Sequence, residues 1–120
     1  MKNILLIDDD LGLLKTLEEA LSSYNEEWNI LTAENGKQGA GIIASHSVDL
    51  VVTDLRMPVM DGYELLAYLR EKGSTMPIIV MTADDSRKSD QRLRSLGVEQ
   101  CISKPCQISE IVHAISSRIS

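Results

Sequence analysis

Four short apolar runs in this chain each end at a polar or charged residue, and this pattern constrains the fold more than any other. The runs and the residues that follow them are Ile4–Ile7 with Asp8, Leu50–Thr53 with Asp54, Ile78–Met81 with Thr82, and Cys101–Ser103 with Lys104. Apolar runs of this length are typical of strands that are buried on both faces. If the strands are parallel, their carboxyl ends meet at one edge of the sheet, where open α/β sheets bind ligands.

Strand and helix patterns alternate along the chain, and the alternation predicts the fold class. A further strand is predicted at Trp28–Thr32, and helical spacing of apolar residues predicts helices at Leu11–Leu21, Gly36–Ser45, Leu65–Leu69 and Ile108–Ile115. Repeated β–α units favour right-handed crossovers, with helices on both faces of a parallel sheet. We therefore predict a flavodoxin-like (βα)5 fold of the α/β class, a three-layer sandwich around a five-stranded parallel sheet in the order 2-1-3-4-5. Residues 1–120 are expected to form one domain.

The helix predicted at Ser86–Leu96 differs from the others because it carries little apolar surface. Only Leu93 and Leu96 are available to the core. Packing supplies most of the stability of a helix in a protein, so this helix is expected to be loosely anchored. Such elements are the ones that move in regulated proteins. The sequence therefore indicates a regulated surface here.

Charge and hydropathy exclude several classes of protein. The formal net charge is -6 and the isoelectric point is about 4.8, which argues against direct nucleic-acid binding. No apolar run approaches the roughly 20 residues that span a membrane, and the first run is too short for a signal peptide. A cytoplasmic location is expected, with no membrane partner. Met1 leads directly into the first strand, which favours a native amino terminus, while Ser120 fits either a natural end or a boundary before an effector domain.

Neither cysteine has the sequence context of a functional site. Cys101 and Cys106 fit no disulfide framework and no metal-binding or redox spacing. We expect both to be small thiols that are buried or half-buried.

The polar residues at the predicted strand ends form a chemically coherent set. Asp8, Asp9 and Asp54 would crowd one another, which favours the entry of a cation, and oxygen ligands of this kind suit Mg²⁺ or Mn²⁺. A carboxylate beside a metal can act as a nucleophile towards a phosphoryl group. Lys104 would supply positive charge to the phosphoryl oxygens, and the Thr82 hydroxyl a hydrogen bond. Asp10, by contrast, is predicted to be a helix N-cap.

Four sequence segments occur together and in a fixed order. They are Ile-Asp-Asp-Asp at 7–10, Thr-Asp-Leu-Arg-Met-Pro-Val-Met-Asp-Gly at 53–62, Met-Thr-Ala at 81–83 and Ser-Lys-Pro at 103–105. In this combination the chain resembles the receiver domains of two-component response regulators. The resemblance covers essentially the whole chain.

The resemblance implies a function and a set of roles. Asp54 would accept a phosphoryl group from a phosphohistidine on a sensor histidine kinase or a histidine phosphotransfer protein. Mg²⁺ would be bound by Asp8, Asp9, Asp54 and the backbone carbonyl of Arg56, and the phosphoryl oxygens would be contacted by Thr82 and Lys104. The fourth helix, fifth strand and fifth helix would then switch their surface for an effector domain or downstream protein. The chain would be no enzyme beyond catalysing its own phosphorylation and slow dephosphorylation. The bond before Pro105 is expected to be cis.

One position departs from the pattern of the family. Cys101 stands three residues before Lys104, where the family usually carries Tyr or Phe. A thiol cannot fill the volume of an aromatic ring. We therefore expect the signal to travel through backbone movement of the fourth helix and the loop before it.

The sequence disfavours three other functions. An inactive pseudo-receiver used only for protein contacts is disfavoured because all the site residues are present. A phosphatase with an Asp nucleophile needs a second Asp two positions later, where this chain has Arg56. A flavin or nucleotide carrier needs a phosphate-binding loop, and the glycines of Gly36–Gly41 lack the required spacing.

Overall fold

The computed structural model describes residues 1–83 and 89–119, which contain five strands and five helices. The strands are β1 Lys2–Ile7, β2 Trp28–Ala33, β3 Leu50–Thr53, β4 Ile78–Thr82 and β5 Gln100–Ser103. The helices are α1 Leu11–Tyr24, α2 Gly36–Ser45, α3 Gly62–Glu71, α4 Ser89–Ser95 and α5 Ile108–Arg118. The predicted start of the fourth helix at Ser86 lies outside the described residues. Among those residues, no helix combines the length and the apolar character that crossing a bilayer requires.

The strands form one parallel sheet in the order β2-β1-β3-β4-β5. This order and the five helices confirm the predicted flavodoxin-like α/β fold. The apolar residues of β1 show how the sheet separates two cores, because successive side chains of a strand point to opposite faces. Ile4 and Leu6 pack with α1 and α5, whereas Leu5 and Ile7 pack with α2, α3 and α4. Both faces of the central strands are therefore dry, as their continuous apolar sequences predict.

The register of the sheet aligns the strand ends. Ile7 of β1 pairs with Thr53 of β3, so Asp8 and Asp54 leave neighbouring strands side by side. The Asp54 amide donates to the carbonyl of Ile7 at 3.0 Å, which continues the ladder by one residue. The first and third strands thus deliver two carboxylates to the same point.

The other half of the sheet edge is aligned in the same way. Thr82, the last residue of β4, pairs with Ser103 of β5. The next residue, Lys104, donates its amide hydrogen to the carbonyl of Thr82 at 2.9 Å. The peptide bond between Lys104 and Pro105 is cis, as the family resemblance implied.

Capping side chains define the starts of α1 and α3. Asp10 accepts a hydrogen bond from the amide of Leu13 at 3.1 Å, which confirms it as the N-cap of α1. Asp61 and Glu64 form a reciprocal capping box at the start of α3. Each arrangement satisfies amide hydrogens that have no partner within the helix.

Helix α4 is anchored by little apolar surface, as predicted. Leu93 is its one buried side chain among those described in Gln91–Ser95, and Leu96 just beyond it is partly buried. One hydrophobic residue departs from the predicted pattern, because Leu11 shares the helical spacing of Leu14, Leu17 and Leu21 but is 56% exposed. Leu11 is the first residue of α1.

The prediction that both cysteines would be buried or half-buried is wrong for one of them. Cys106 is half-buried, but Cys101 is exposed. Cys101 pairs with Val80 and so faces the layer that contains α4. Cys101 lies on the edge strand β5, and the described part of that layer leaves it uncovered.

The two thiols are expected to differ in reactivity. Burial and the charge of Glu110 raise the pKa of the Cys106 thiol, and the opposing effect of Lys104 is smaller. A raised pKa leaves less of the reactive thiolate at a given pH, so Cys106 should alkylate on the order of tenfold more slowly than Cys101 at pH 8. Timed iodoacetamide labelling with peptide mapping measures both rates. Equal rates in the folded protein would contradict the difference in burial, while labelling in urea provides the unfolded reference.

Candidate functional site

Three carboxylates meet at the carboxyl edge of the sheet. Asp8 is 1% exposed and Asp54 is 7% exposed, whereas Asp9 is exposed to solvent. One oxygen from each of Asp8, Asp9 and Asp54 lies within 4.8 Å of the others. The structure therefore brings together the three acidic residues that the sequence singled out as metal ligands.

Lys104 joins two of these carboxylates. Its ammonium donates to Oδ2 of Asp8 at 2.6 Å and to Oδ2 of Asp54 at 2.8 Å. The ion pairs are well shielded, since the side chains of Lys104, Asp8 and Asp54 are 18%, 2% and 10% exposed. A single cation thus connects the ends of β1, β3 and β5.

The second oxygen of each buried carboxylate is held by the backbone. Oδ1 of Asp54 accepts from the amide of Leu55 at 2.6 Å and, at a longer 3.4 Å, from the amide of Arg56. Oδ1 of Asp8 accepts from the amide of Asp10 at 3.0 Å. Both carboxylates are therefore oriented by fixed donors, which lowers the cost of placing them in a poorly solvated position.

Burial and pairing shift the pKa values of two of these groups. Burial raises the pKa of Asp8 above its ordinary value, although hydrogen bonds from Lys104 and from the amide of Asp10 oppose the rise. Burial also disfavours the charged form of Lys104, but its hydrogen bonds to Asp54 and Asp8 outweigh this effect and raise its pKa. Pairing outweighs burial for Lys104 because its one ammonium faces two carboxylates. Lys104 consequently remains a cation throughout the physiological pH range.

The charges of the site leave room for a further cation. The three carboxylates carry three negative charges and the ammonium carries one positive charge. The formal charge of this group of four side chains is therefore -2. The donors are all carboxylate oxygens, the ligand type that hard divalent cations prefer. The residues present therefore fit a divalent metal ion by both charge and donor chemistry.

The remaining predicted residues lie at the same edge. Thr82 is 2% exposed at the end of β4, and the following Ala83 is exposed. The backbone of Arg56 lies beside Asp54 through its amide, as described above, and its side chain is exposed. That the Arg56 carbonyl ligates a metal remains a prediction.

The loop after β3 is held tightly against the phosphoacceptor candidate. The amide of Gly62 donates to the carbonyl of Leu55 at 2.9 Å. A Cβ atom at residue 62 would lie 2.8 Å from Cα of Leu55 and closer still to the carbonyl oxygen of Asp54. Only glycine permits this approach, so the close packing of Gly62 fixes the backbone that carries Asp54.

Val59 occupies an unusual conformation at the tip of this loop. Its φ angle is +73°, and the amide of Met60 donates to the carbonyl of Pro58 at 2.9 Å across it. This is a γ-turn of the strained type, and a β-branched residue is an outlier there. Packing of the Val59 side chain offsets little of this strain, because the residue is 73% exposed.

Sequence reasoning did not identify two features of the site. The Leu55 amide that holds Asp54 is a backbone group and leaves no mark in the sequence. The strained turn at Val59 could have been suspected from the Pro-Val-Met-Asp-Gly segment, in which Pro58 and Gly62 bracket a sharp change of direction.

Comparison with known proteins identifies the family. The sequence profile of the response regulator receiver domain matches residues 4–116. Transcriptional regulatory protein GlrR of Escherichia coli strain K12 is 37% identical over 117 residues, which make up 98% of this chain and 26% of GlrR. Sensor histidine kinase RcsC of the same strain is 31% identical over 113 residues, which make up 94% of this chain and 12% of RcsC.

A solved structure supports the same assignment. The response regulator protein TrrA from Thermotoga maritima, in complex with Mg²⁺-BeF, superposes with a TM-score of 0.85 and 29% identity. The alignment covers 99% of this chain and 100% of that one. The fold is thus that of a response regulator. The chain belongs to the response regulator receiver domain family, as the sequence motifs indicated.

Replacement of Val59 by Asn is expected to stabilise the protein. Asn tolerates a positive φ angle far better than a β-branched residue does, so the free energy of unfolding should rise by about 1 kcal/mol. Urea unfolding followed by circular dichroism measures this change. Val59→Thr is the matched control, because Thr keeps the β-branch and should give little or no gain. Equal behaviour of the two variants would show that the turn carries no strain.

Proposed function

We propose that residues 1–120 form one receiver domain in which Asp54 accepts a phosphoryl group from a phosphohistidine. The observation that carries this proposal is the convergence of Asp8, Asp9 and Lys104 on Asp54. Receiver domains act as phosphorylation-dependent switches, and this chain has both the acidic cluster and the cation that such a transfer requires. The site catalyses its own modification, so the chain is a switch and not an enzyme in the usual sense.

The transfer follows from the chemistry of the carboxylate. An oxygen of Asp54 attacks the phosphorus, a P–O bond forms, and the P–N bond to the donor imidazole breaks. The imidazole leaves with the bonding electrons and takes up a proton, and an acyl phosphate remains on Asp54. The backbone amide of Leu55, which donates to Oδ1 of Asp54 at 2.6 Å, holds the carboxylate in position for this attack.

Lys104 is proposed to follow the negative charge. Before transfer its ammonium bridges Asp8 and Asp54. Once Asp54 is phosphorylated, its carboxylate loses its full charge and the phosphoryl oxygens become the stronger partner for the ammonium. The Thr82 hydroxyl, buried at the end of β4, would donate to another phosphoryl oxygen. Movement of these two groups would carry the signal to β4, β5 and the helices that follow them.

Mg²⁺, with Mn²⁺ as a possible substitute, is the proposed cofactor. Asp8, Asp9, Asp54 and the carbonyl of Arg56 would hold it. When bound, the ion would neutralise the charge of the incoming phosphoryl group and of the carboxylates around it. The small number of protein carboxylates suits Mg²⁺, which keeps several water ligands.

The partners are proposed from the chemistry and from the relatives. A phosphohistidine donor implies a sensor histidine kinase or a histidine phosphotransfer protein. Receiver domains of relatives occur within a transcriptional regulatory protein and within a sensor kinase, and this chain spans only 26% and 12% of those two proteins. The output is therefore an effector domain or a separate downstream protein that reads the surface of α4, β5 and α5.

Acetyl phosphate with Mg²⁺ should label Asp54 alone. Intact-mass analysis would show the gain of one phosphoryl group, and peptide mapping after borohydride reduction would locate it. Asp54→Asn should abolish labelling, and chelation of the metal should slow it strongly because the carboxylates would then repel the donor.

Asp49→Asn is the matched control. Asp49 is bonded to Asn3 at the opposite end of the sheet, and its replacement should leave labelling intact. Unchanged labelling in Asp54→Asn would overturn the assignment of the phosphoacceptor. Steady release of phosphate from many substrate molecules would instead favour a phosphatase.

Lys104→Ala should separate metal binding from the switch. The three carboxylates remain, so Mg²⁺ should still bind, while labelling by acetyl phosphate should slow on the order of 10²-fold through loss of a charge-stabilising donor. The amide spectrum of α4 should no longer respond to modification of Asp54. Lys72→Ala, an exposed Lys at the end of α3, is the control. A normal response of α4 in Lys104→Ala would refute the proposed role.

A further inference from the structure

Arg70 connects the ends of two helices through backbone carbonyls. It lies in the last turn of α3. Its Nε donates to the carbonyl of Leu96 at 2.6 Å, and its Nη2 donates to the carbonyl of Gly97 at 3.3 Å. Its Nη1 donates to the carbonyl of Ser74, just beyond α3. One rigid, permanently charged guanidinium thus satisfies acceptors at the carboxyl ends of both α3 and α4.

The end of α4 is shaped to receive this side chain. Gly97 has a φ angle of +83°, and its amide donates to the carbonyl of Arg94 at 3.0 Å. The amide of Val98 donates to the carbonyl of Leu93 at 3.0 Å, which completes a Schellman motif. A Cβ atom at residue 97 would lie 2.7 Å from Nε of Arg70. The guanidinium therefore packs directly on the glycine backbone.

A second arginine contact joins the same two helices. The guanidinium of Arg92 lies 4.3 Å from the centroid of the Tyr63 ring at the start of α3. This distance is well within the range of a cation–π interaction. The contact crosses from α4 to α3, so it fixes the rotation of α4 about its own axis.

These polar contacts supplement the sparse apolar packing of Gln91–Ser95, the part of α4 whose side chains the structure describes. Leu93 is the one buried side chain in that part, so Arg70 and Arg92 contribute much of its placement. The described anchoring contacts involve Arg92 and the residues after it. The carboxyl-terminal half of α4 is thus fixed to α3, and the amino-terminal half is the part nearer in sequence to Thr82.

We infer that Arg70 is the pivot of the switch, a positioning residue that holds the carboxyl-terminal end of α4 while phosphorylation displaces its amino-terminal end. The inference rests on the proposed function, because it is phosphorylation of Asp54 that moves Thr82. A rigid helix held at one end responds to a push at the other by rotating about the held end. The Arg70 clip converts a small shift at the strand end into a tilt of α4.

Backbone amide chemical shifts of the full chain, with and without Mg²⁺ and beryllofluoride, test the pivot. In the parent chain the amides of Leu55 and Arg56 should shift because the probe lies on Asp54. The amide chemical shifts of Ser89–Gln91 should also change, whereas those of Leu96–Val98 should remain the same. Hydrogen exchange of Gly97 and Val98, whose amides are bonded within the Schellman motif, reports the clip itself.

Arg70→Gln removes the forked donor and the charge. In this variant the exchange of Gly97 and Val98 should accelerate roughly tenfold, the order expected for losing charge-assisted hydrogen bonds. The beryllofluoride response should then extend to Leu96–Val98, because the end of the helix is no longer held. Arg70→Lys keeps the charge without the fork and should behave like Arg70→Gln. Lys72→Gln removes an equal charge two residues away and should behave like the parent.

The outcomes separate the pivot from the proposed function. If Leu55 and Arg56 do not respond to Mg²⁺ and beryllofluoride in the parent, the proposed function fails and the pivot fails with it. If they respond but the two ends of α4 shift equally in the parent, the pivot alone is overturned. If Arg70→Gln accelerates exchange while the beryllofluoride response keeps the parent pattern, Arg70 is merely structural and the pivot is again overturned. The parent spectra decide the first two outcomes even if a variant fails to fold.

Discussion

The ion pairs of Lys104 with Asp8 and Asp54 are the interaction on which the rest of the site depends. Two carboxylates with little access to water would repel each other, and a single ammonium at 2.6 and 2.8 Å holds them together. The pairing is possible only because the sheet register places the ends of β1, β3 and β5 at one edge. Stability and chemistry are therefore coupled, since the groups that make the site reactive also connect three strands.

The charges of the four side chains at this site do not cancel. One ammonium cannot neutralise three carboxylates, and burial raises the pKa of Asp8 in spite of its hydrogen bonds. An excess of negative charge of this kind favours the binding of a divalent cation, whereas it repels an anionic group. The strands that carry these carboxylates are buried on both faces and are therefore rigid. This rigidity keeps the carboxylates from moving apart to relieve their repulsion.

Most of the fold and the central site could be predicted from sequence because they depend on local patterns. The apolar runs predicted the strands, Asp10 predicted the start of α1, and parallel pairing then predicted that Asp8, Asp54, Thr82 and Lys104 lie at one edge. What escaped prediction depends on contacts between distant residues. The exposure of Cys101 on the edge strand β5 depends on tertiary packing, and the contacts of Arg70 join residues 26 and 27 positions apart.

The packing of Arg70 on Gly97 has a consequence for how this chain can tolerate change. A side chain at residue 97 would be strained by the positive φ angle and would clash with the guanidinium of Arg70. Displacement of the guanidinium would remove its hydrogen bond to the Leu96 carbonyl. A shorter side chain at residue 70 would leave the glycine in place but exposed to water. Residues 70 and 97 are therefore structurally coupled, and a substitution at either one should loosen the carboxyl-terminal end of α4.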